Sequence, residues 1–257
     1  PTYGAYQVFA DINGVAVSTC QLKDDFSIDF QRLETICQLI HGGTPATGMH
    51  KLLFICSPNN PTGTIVPLDA IERIARGFPG IVVVDEAYHD FAGGTSAVSL
   101  MERYPHLVVL RTLSKAWGLA GARVGLAVAD EEIVAAMNKV KYPYNMSLLA
   151  QQCAMDALDK ADQVRQEVRR TIAEREKLSK RLKQLAFVEE VVPSQANFVL
   201  VRVRDADCLY AFLRDKGIIV RNRSSLRGCY GCVRITVGSS AENETLMTAL
   251  QEWEGLR

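Results

Sequence analysis

Five short runs of Val, Ile and Leu constrain the fold of this chain more than any other feature. They fall at residues 15–20, 51–56, 81–84, 107–110 and 124–128, separated by helical periodicity at 29–40, 68–77, 97–104 and 131–140. Each run is too short for a buried helix, and its nearly unbroken apolar character leaves no face for water. Strands of this kind are buried on both faces, which calls for a mostly parallel sheet covered by helices. The expected architecture is therefore α/β, a mostly parallel sheet sandwiched by helices. Ligands of such sheets sit at the carboxyl ends of the strands, and the polar motifs of this chain follow its apolar runs.

From residue 146 the pattern changes. A charged, helix-forming stretch runs to about residue 184 with a break at 159–162. Short apolar segments follow at 187–192, 197–203, 218–221 and 232–237, with helices at 206–216 and from about 241. Strands mixed with helices in this way describe a smaller α+β domain. The expected division is 1–145, a large α/β domain incomplete at its N-terminus, and 146–257, a small C-terminal domain that includes the helix joining the two.

Composition excludes several partners. The 257 residues carry 29 Lys and Arg against 29 Asp and Glu, so no global field attracts nucleic acid or an anionic membrane. No apolar run approaches the roughly twenty residues of a membrane-crossing helix. Neither nucleic acid nor membrane is expected as a partner. Seven cysteines, at 20, 37, 56, 153, 208, 229 and 232, are odd in number and scattered, which fits reduced cytoplasmic thiols better than a disulfide framework. Cys229-Tyr-Gly-Cys232 has no second Cys or His pair at zinc spacing, and the four histidines show none, so no metal site is expected. The chain opens on Pro1-Thr-Tyr-Gly without Met or signal peptide, and reads as a fragment whose N-terminal part lies elsewhere.

Three motifs carry chemistry. Arg111-Thr-Leu-Ser-Lys-Ala-Trp-Gly-Leu-Ala-Gly-Ala-Arg123 follows the run at 107–110. A lysine there is poorly solvated, and desolvation lowers its pKa and makes the amine nucleophilic, suiting condensation with a carbonyl cofactor. Ser114 and Arg123 would take a phosphate; the alternative is a solvated loop. Ser57-Pro-Asn-Asn-Pro-Thr-Gly63 ends the run at 51–56, and its prolines and glycine present Asn59 and Asn60 at the strand tip, either as donors to a phenolate-type oxygen or as a plain β-turn. Val82-Val-Val-Asp-Glu-Ala-Tyr88 places Asp85 at the end of a buried strand, where a carboxylate needs a cation or donors. A protonated pyridine nitrogen suits it, and Tyr88 could reach the oxygen that Asn60 serves. A magnesium-binding aspartate and a helix cap are the other readings of Asp85; no GxxxxGK[ST] stands in the chain to support the former.

The strings PTYGAY, SPNNPTG, VVDEAY, RTLSKAWGLAGARVG, ANFVLVR and GCVRITVG occur in this order. With them the chain resembles, over essentially its whole length, the fold-type I pyridoxal-phosphate aminotransferases, most of all their histidinol-phosphate aminotransferase branch. The resemblance implies pyridoxal 5'-phosphate as cofactor. It implies that Lys115 condenses with the cofactor and then moves the substrate proton, that Asp85 pairs with the ring nitrogen, and that Asn60 and Tyr88 hold its phenolic oxygen. Ser114 and Arg123 would bind the phosphate and Tyr3 would stack on the ring. Arg234 would grip the substrate's acidic group and Arg221 its phosphate, Arg221 and Arg223 being otherwise a solvated strand end. Asn197 would line the site or serve as a turn residue.

The implied reaction exchanges an amino group between L-histidinol phosphate and 2-oxoglutarate, giving imidazole-acetol phosphate and glutamate, in a homodimer. Planar guanidinium forks accept carboxylate or phosphate, so one arginine pair can serve both substrates. Rival functions are an aromatic amino-acid aminotransferase, a decarboxylase of a phosphorylated amino acid, a non-catalytic cofactor-sensing module and an inactive fragment. Family members carry an N-terminal arm and a phosphate-binding turn before the PTY segment, and neither stands in this sequence. His89 is expected beside the site or exposed, and Trp117 is expected behind the lysine turn.

Overall fold

The computed structural model describes residues 1–37 and 50–256. Its first sheet contains β1 (Leu52–Cys56), β2 (Ile81–Asp85), β3 (Leu107–Thr112) and β4 (Gly125–Ala129), in that spatial order. The first three run parallel and β4 runs antiparallel to β3. Register sets Cys56 beside Asp85 and Asp85 beside Leu110. The three parallel strands therefore end at one level, and the loops that follow them open together.

Helices α1 (Ala5–Ile12), α2 (Phe30–Cys37), α3 (Leu68–Gly77) and α4 (Glu131–Val140) accompany this sheet. In α3, Ile71, Ile74 and Ala75 are buried and pack with Val82, Val84, Leu107 and Val109. The three- and four-residue spacing of the helix thus meets the two-residue spacing of the strands. Each fully buried side chain of this size contributes about 1.5–3 kcal/mol relative to exposure. Asp69 in the first turn and Arg76 in the last suit the helix dipole.

The second sheet has the order β5-β6-β8-β7 and is antiparallel throughout: β5 (Val188–Val192), β6 (Phe198–Val203), β7 (Arg221–Asn222) and β8 (Cys232–Thr236). Helices α5 (Leu148–Leu158), α6 (Ala161–Leu182), α7 (Ala206–Asp215) and α8 (Ser240–Gly255) complete the chain. Val199, Val201, Val203, Val233 and Ile235 form one core with Leu178, Leu209, Leu213 and Leu246 of the helices. The alternate positions face the other way, Phe198 toward Tyr88 and Phe91, Leu200 and Cys232 toward Phe26. This second face is the one turned to the first sheet. Ser239 and Glu242 cap α8 reciprocally, a capping box.

Four expectations are corrected. Residues 15–20 form no strand, and Val15 and Val17 are exposed; with no strand beside them their apolar character alone cannot satisfy the backbone. The run at 124–128 becomes β4, an antiparallel edge strand whose residues are mostly exposed rather than buried on both faces. The helix expected at 97–104 shrinks to a 3-10 turn, Ala97–Leu100, capped by Ser96; its continuation keeps three-residue bonds such as Met101 to Val98 and Arg103 to Leu100, and Pro105 ends the segment. The strand expected at 218–221 is confined to Arg221–Asn222. Helix α1 was not anticipated, and α2 is seen to Cys37; the last three residues of the helix expected at 29–40, and His41, lie outside the described residues.

Candidate active site

Asp85, the last residue of β2, has both carboxylate oxygens engaged. Oδ1 accepts from the Ala87 amide at 3.0 Å and Oδ2 from the Tyr6 hydroxyl at 2.5 Å. Tyr6 lies stacked on Phe54, ring centroids 5.0 Å apart, and meets Tyr3 edge-on at 5.6 Å. Burial first, then Cys56 and Asp85, pushes the Tyr6 phenol above its ordinary pKa, so it remains a donor. Sequence reasoning overlooked Tyr6; its signal is the spacing of the two tyrosines in PTYGAY, about one helical turn apart.

The neighbouring Glu86 points the opposite way, as the pleat requires. It is buried and accepts from Ser96 Oγ (2.7 Å), the Ala97 amide (2.8 Å) and Arg111 Nη1 (2.8 Å). His89 Nδ1 stands 3.8 Å from it. Glu86 thus secures the loop after β2 while Asp85 faces the opening.

The loop at 57–63 divides its two asparagines in the same manner. Asn59 is buried and tied on every side: Nδ2 donates to the Pro1 carbonyl (3.0 Å) and to Thr62 Oγ1 (2.9 Å), and Oδ1 accepts from Thr2 (2.9 Å). Asn60 Oδ1 instead accepts from Arg234 Nη1 at 2.8 Å, which leaves its amide nitrogen as a donor. Gly63, at φ 75°, packs so closely that a Cβ would stand 2.2 Å from Ser194 Oγ, and its carbonyl accepts from the Gln195 amide at 2.7 Å. Only glycine fits there.

The turn after β3 holds Lys115. The Leu113 carbonyl accepts from Leu119, the Lys115 carbonyl from Gly118, and Thr112 Oγ1 from the Ser114 amide. Lys115 is exposed as a residue rather than buried as expected, because the turn carries it past the end of β3, while its Nζ lies 5.3 Å from the centre of the Tyr88 ring. Desolvation chiefly, then the charges of Arg234 and Arg123, pushes the Lys115 pKa down, with Asp85 opposing. Tyr88, buried and edge-on to Phe198 at 5.1 Å, is pushed up to about 12, mainly by burial, with Arg234 opposing. Arg123 adopts φ 58°, remains exposed and donates to the Ala120 carbonyl at 2.8 Å. Trp117 packs with Leu113, Val124 and Ala154 behind the turn.

The second sheet supplies the arginines. Arg234 of β8 pairs in register with Arg221 of β7. Its guanidinium lies 4.9 Å from the Phe198 ring centre, and its Nε is buried without a partner. Burial, with Arg223 and Arg221 nearby, pushes the Arg234 pKa down, while Tyr88 opposes. Arg221 is exposed, and Tyr3 is 47% exposed. Asn197 is half-buried, its carbonyl accepting from the Val237 amide at 2.9 Å.

Among the described residues no group of three or more His, Cys, Asp or Glu could hold a metal. The donor set fits pyridoxal phosphate. Asp85 retains lone pairs for a ring N–H, and the Asn60 amide and Tyr88 hydroxyl can donate to one oxygen. Lys115 offers a partly desolvated amine for the aldehyde, and Ser114 and Arg123 offer donors for the phosphate.

A family model described as aminotransferase class I and II matches residues 1–250. The histidinol-phosphate aminotransferase of Parabacteroides distasonis is 41% identical over 251 residues, which is 98% of this chain and 70% of that protein. The crystal structure of the histidinol-phosphate aminotransferase from Clostridium acetobutylicum superposes with a TM-score of 0.91 at 23% identity, over 100% of this chain and 77% of that one. The Sinorhizobium meliloti enzyme of the same name, solved in complex with pyridoxal-5'-phosphate, gives 0.87 at 24%, over 99% and 68%. These two solved structures show the fold.

Proposed function

This chain is a member of the aminotransferase class I and II family, and from that premise we propose that it exchanges an amino group between L-histidinol phosphate and 2-oxoglutarate with pyridoxal 5'-phosphate as cofactor. The relative at 41% identity bears the name of that activity. The observation that carries the reading is the pair Arg221 and Arg234, in register on adjacent strands, with Arg234 bonded to the Asn60 loop that ends β1. Guanidinium forks there accept a phosphate or a carboxylate bidentately, which one site needs for histidinol phosphate and for glutamate.

When bound, the cofactor supplies an aldehyde for amine condensation and a ring that withdraws electrons from the substrate Cα. Lys115 Nζ takes and returns the proton at that Cα; its lowered pKa leaves more of the amine unprotonated near neutrality. Asp85 holds a ring N–H, Tyr88 and Asn60 hold an oxygen anion, and Ser114 and Arg123 hold a phosphate. Tyr3 covers the ring, Asn197 borders the site, and Arg234 and Arg221 orient the substrate by its acidic end.

We also take residues 1–145 as the cofactor-binding domain and 146–257 as the smaller one, working as a cytoplasmic homodimer. Exposed Phe9 and Ile12 of α1, and Leu148 and Leu149 of α5, support a second copy. No helix among the described residues is long and apolar enough to cross a membrane.

Visible absorbance with added pyridoxal phosphate tests the reading, with Lys115→Ala as control. A Lys115-dependent band that histidinol phosphate and glutamate both bleach supports it. Bleaching by phenylalanine but not by histidinol phosphate moves the substrate to the aromatic amino acids.

A further inference from the structure

The site-facing side of the second sheet carries a third arginine. Arg221 opposes Arg234, Asn222 opposes Val233, and the Arg223 amide donates to the Cys232 carbonyl at 2.8 Å, extending the pairing by one residue. Strand side chains alternate, so Arg221 and Arg223 share the face of Arg234 and Cys232. Asn222 takes the other face, where its amide donates to Asp207 of α7. The Asn222 carbonyl oxygen of the side chain also accepts from the Ser224 amide at 2.9 Å, which fixes the backbone at this corner.

Two buried groups at that corner lack partners. Arg223 Nε and Ser224 Oγ have none, nor has Arg234 Nε. Every arginine ion pair among the described residues involves other arginines. Three guanidiniums thus converge without a carboxylate, and donors are left unsatisfied at a cost that a bound acceptor would remove. A single carboxylate is matched by one guanidinium fork. A phosphate ester has three free oxygens and nearly two negative charges at neutral pH, and so has room for further donors.

We infer that Arg223 and Ser224, beside Arg221, receive the phosphate end of a substrate, while Arg234, anchored on Asn60, serves every acidic substrate. The inference rests on the proposed phosphorylated substrate and adds two specificity-determining residues to it.

The test uses the cofactor-loaded protein and the variants Arg223→Gln, Arg223→Lys and Ser224→Ala. Arg223→Gln is expected to lower kcat/KM for histidinol phosphate about tenfold more than for glutamate, the loss falling in KM, with Lys restoring part of it. Calorimetric titration with inorganic phosphate is expected to show a similar weakening. Equal losses for both substrates, or unchanged phosphate affinity in Arg223→Gln, would overturn the assignment. A wild-type protein that processes glutamate and rejects histidinol phosphate overturns the proposed substrate instead, and the inorganic-phosphate titration then decides the role of Arg223 by itself.

Discussion

The end of β2 and the β7–β8 pair border one opening with opposite hydrogen-bonding states. At the end of β2 nearly every polar group is already engaged: Glu86 accepts from three donors and Asp85 from two. Across the opening, Arg223 Nε, Ser224 Oγ and Arg234 Nε are buried with nothing to bond. The first region is complete without a ligand and can hold its shape while empty. The second reaches its best arrangement only when an acceptor arrives. A satisfied buried group contributes stability, whereas an unsatisfied one subtracts it. Rigidity and affinity are therefore located in different parts of the site.

Lys115→Ala should have the largest effect, since it removes the amine and leaves both walls standing. The expected fall in single-turnover amination rate is about 10⁴-fold, with the urea unfolding midpoint unchanged. Next come two substitutions that set the walls against each other. Glu86→Ala strands Arg111 and two other donors and should cost about 3 kcal/mol in urea unfolding. Arg234→Ala removes a charge with an unsatisfied nitrogen but strands the Asn60 side-chain carbonyl, so it should cost about 1 kcal/mol, well under the Glu86→Ala loss, while KM for acidic substrates rises about a hundredfold. If both variants lose stability alike, the contrast between the walls is wrong.

Tyr6→Phe is a smaller break in the satisfied wall. Without the phenol, Asp85 keeps one donor, and equilibrium titration should show pyridoxal phosphate affinity reduced about tenfold or less. The smallest expected effect is one of pH. The Lys115 pKa in the fold lies below its ordinary 10.5, so the unfolded chain binds more protons between those values and stability rises with pH there. Unfolding of the cofactor-free protein, compared with Lys115→Met from neutral pH toward 10.5, should show the difference shift in favour of the wild type. A flat difference would mean that the amine is not desolvated.

The strands and the site motifs were legible in the residues, while the division between the two walls was not. The runs at 81–84 and 107–110 lie within strands and the gap after 203 falls between elements, because period and punctuation agree there, while the break expected at 159–162 narrows to 159–160, with α6 beginning at Ala161. Residues 15–20 misled, since strand propensity is realised only beside another strand. Helix α1 stayed hidden because its apolar residues Phe9 and Ile12 are exposed, so they report no core. The Asp85 motif identified itself by a charge at the end of an apolar run, but nothing around Asp85 points to its partner Tyr6, seventy-nine positions away, whose one signal is the tyrosine spacing within PTYGAY. Glu86 was equally silent, since adjacent acids in a string do not say which one turns inward.

The bond between Asn60 and Arg234 joins residues 174 positions apart. A growing chain therefore presents the Asn60 loop, Asp85 and Lys115 long before the arginine that completes the opening has been made. Closing so large a loop costs only slightly more entropy than closing a shorter one, but it cannot begin until β8 exists. During synthesis the cofactor's half of the site precedes the substrate's half, and substrate capture waits for a stretch that emerges later.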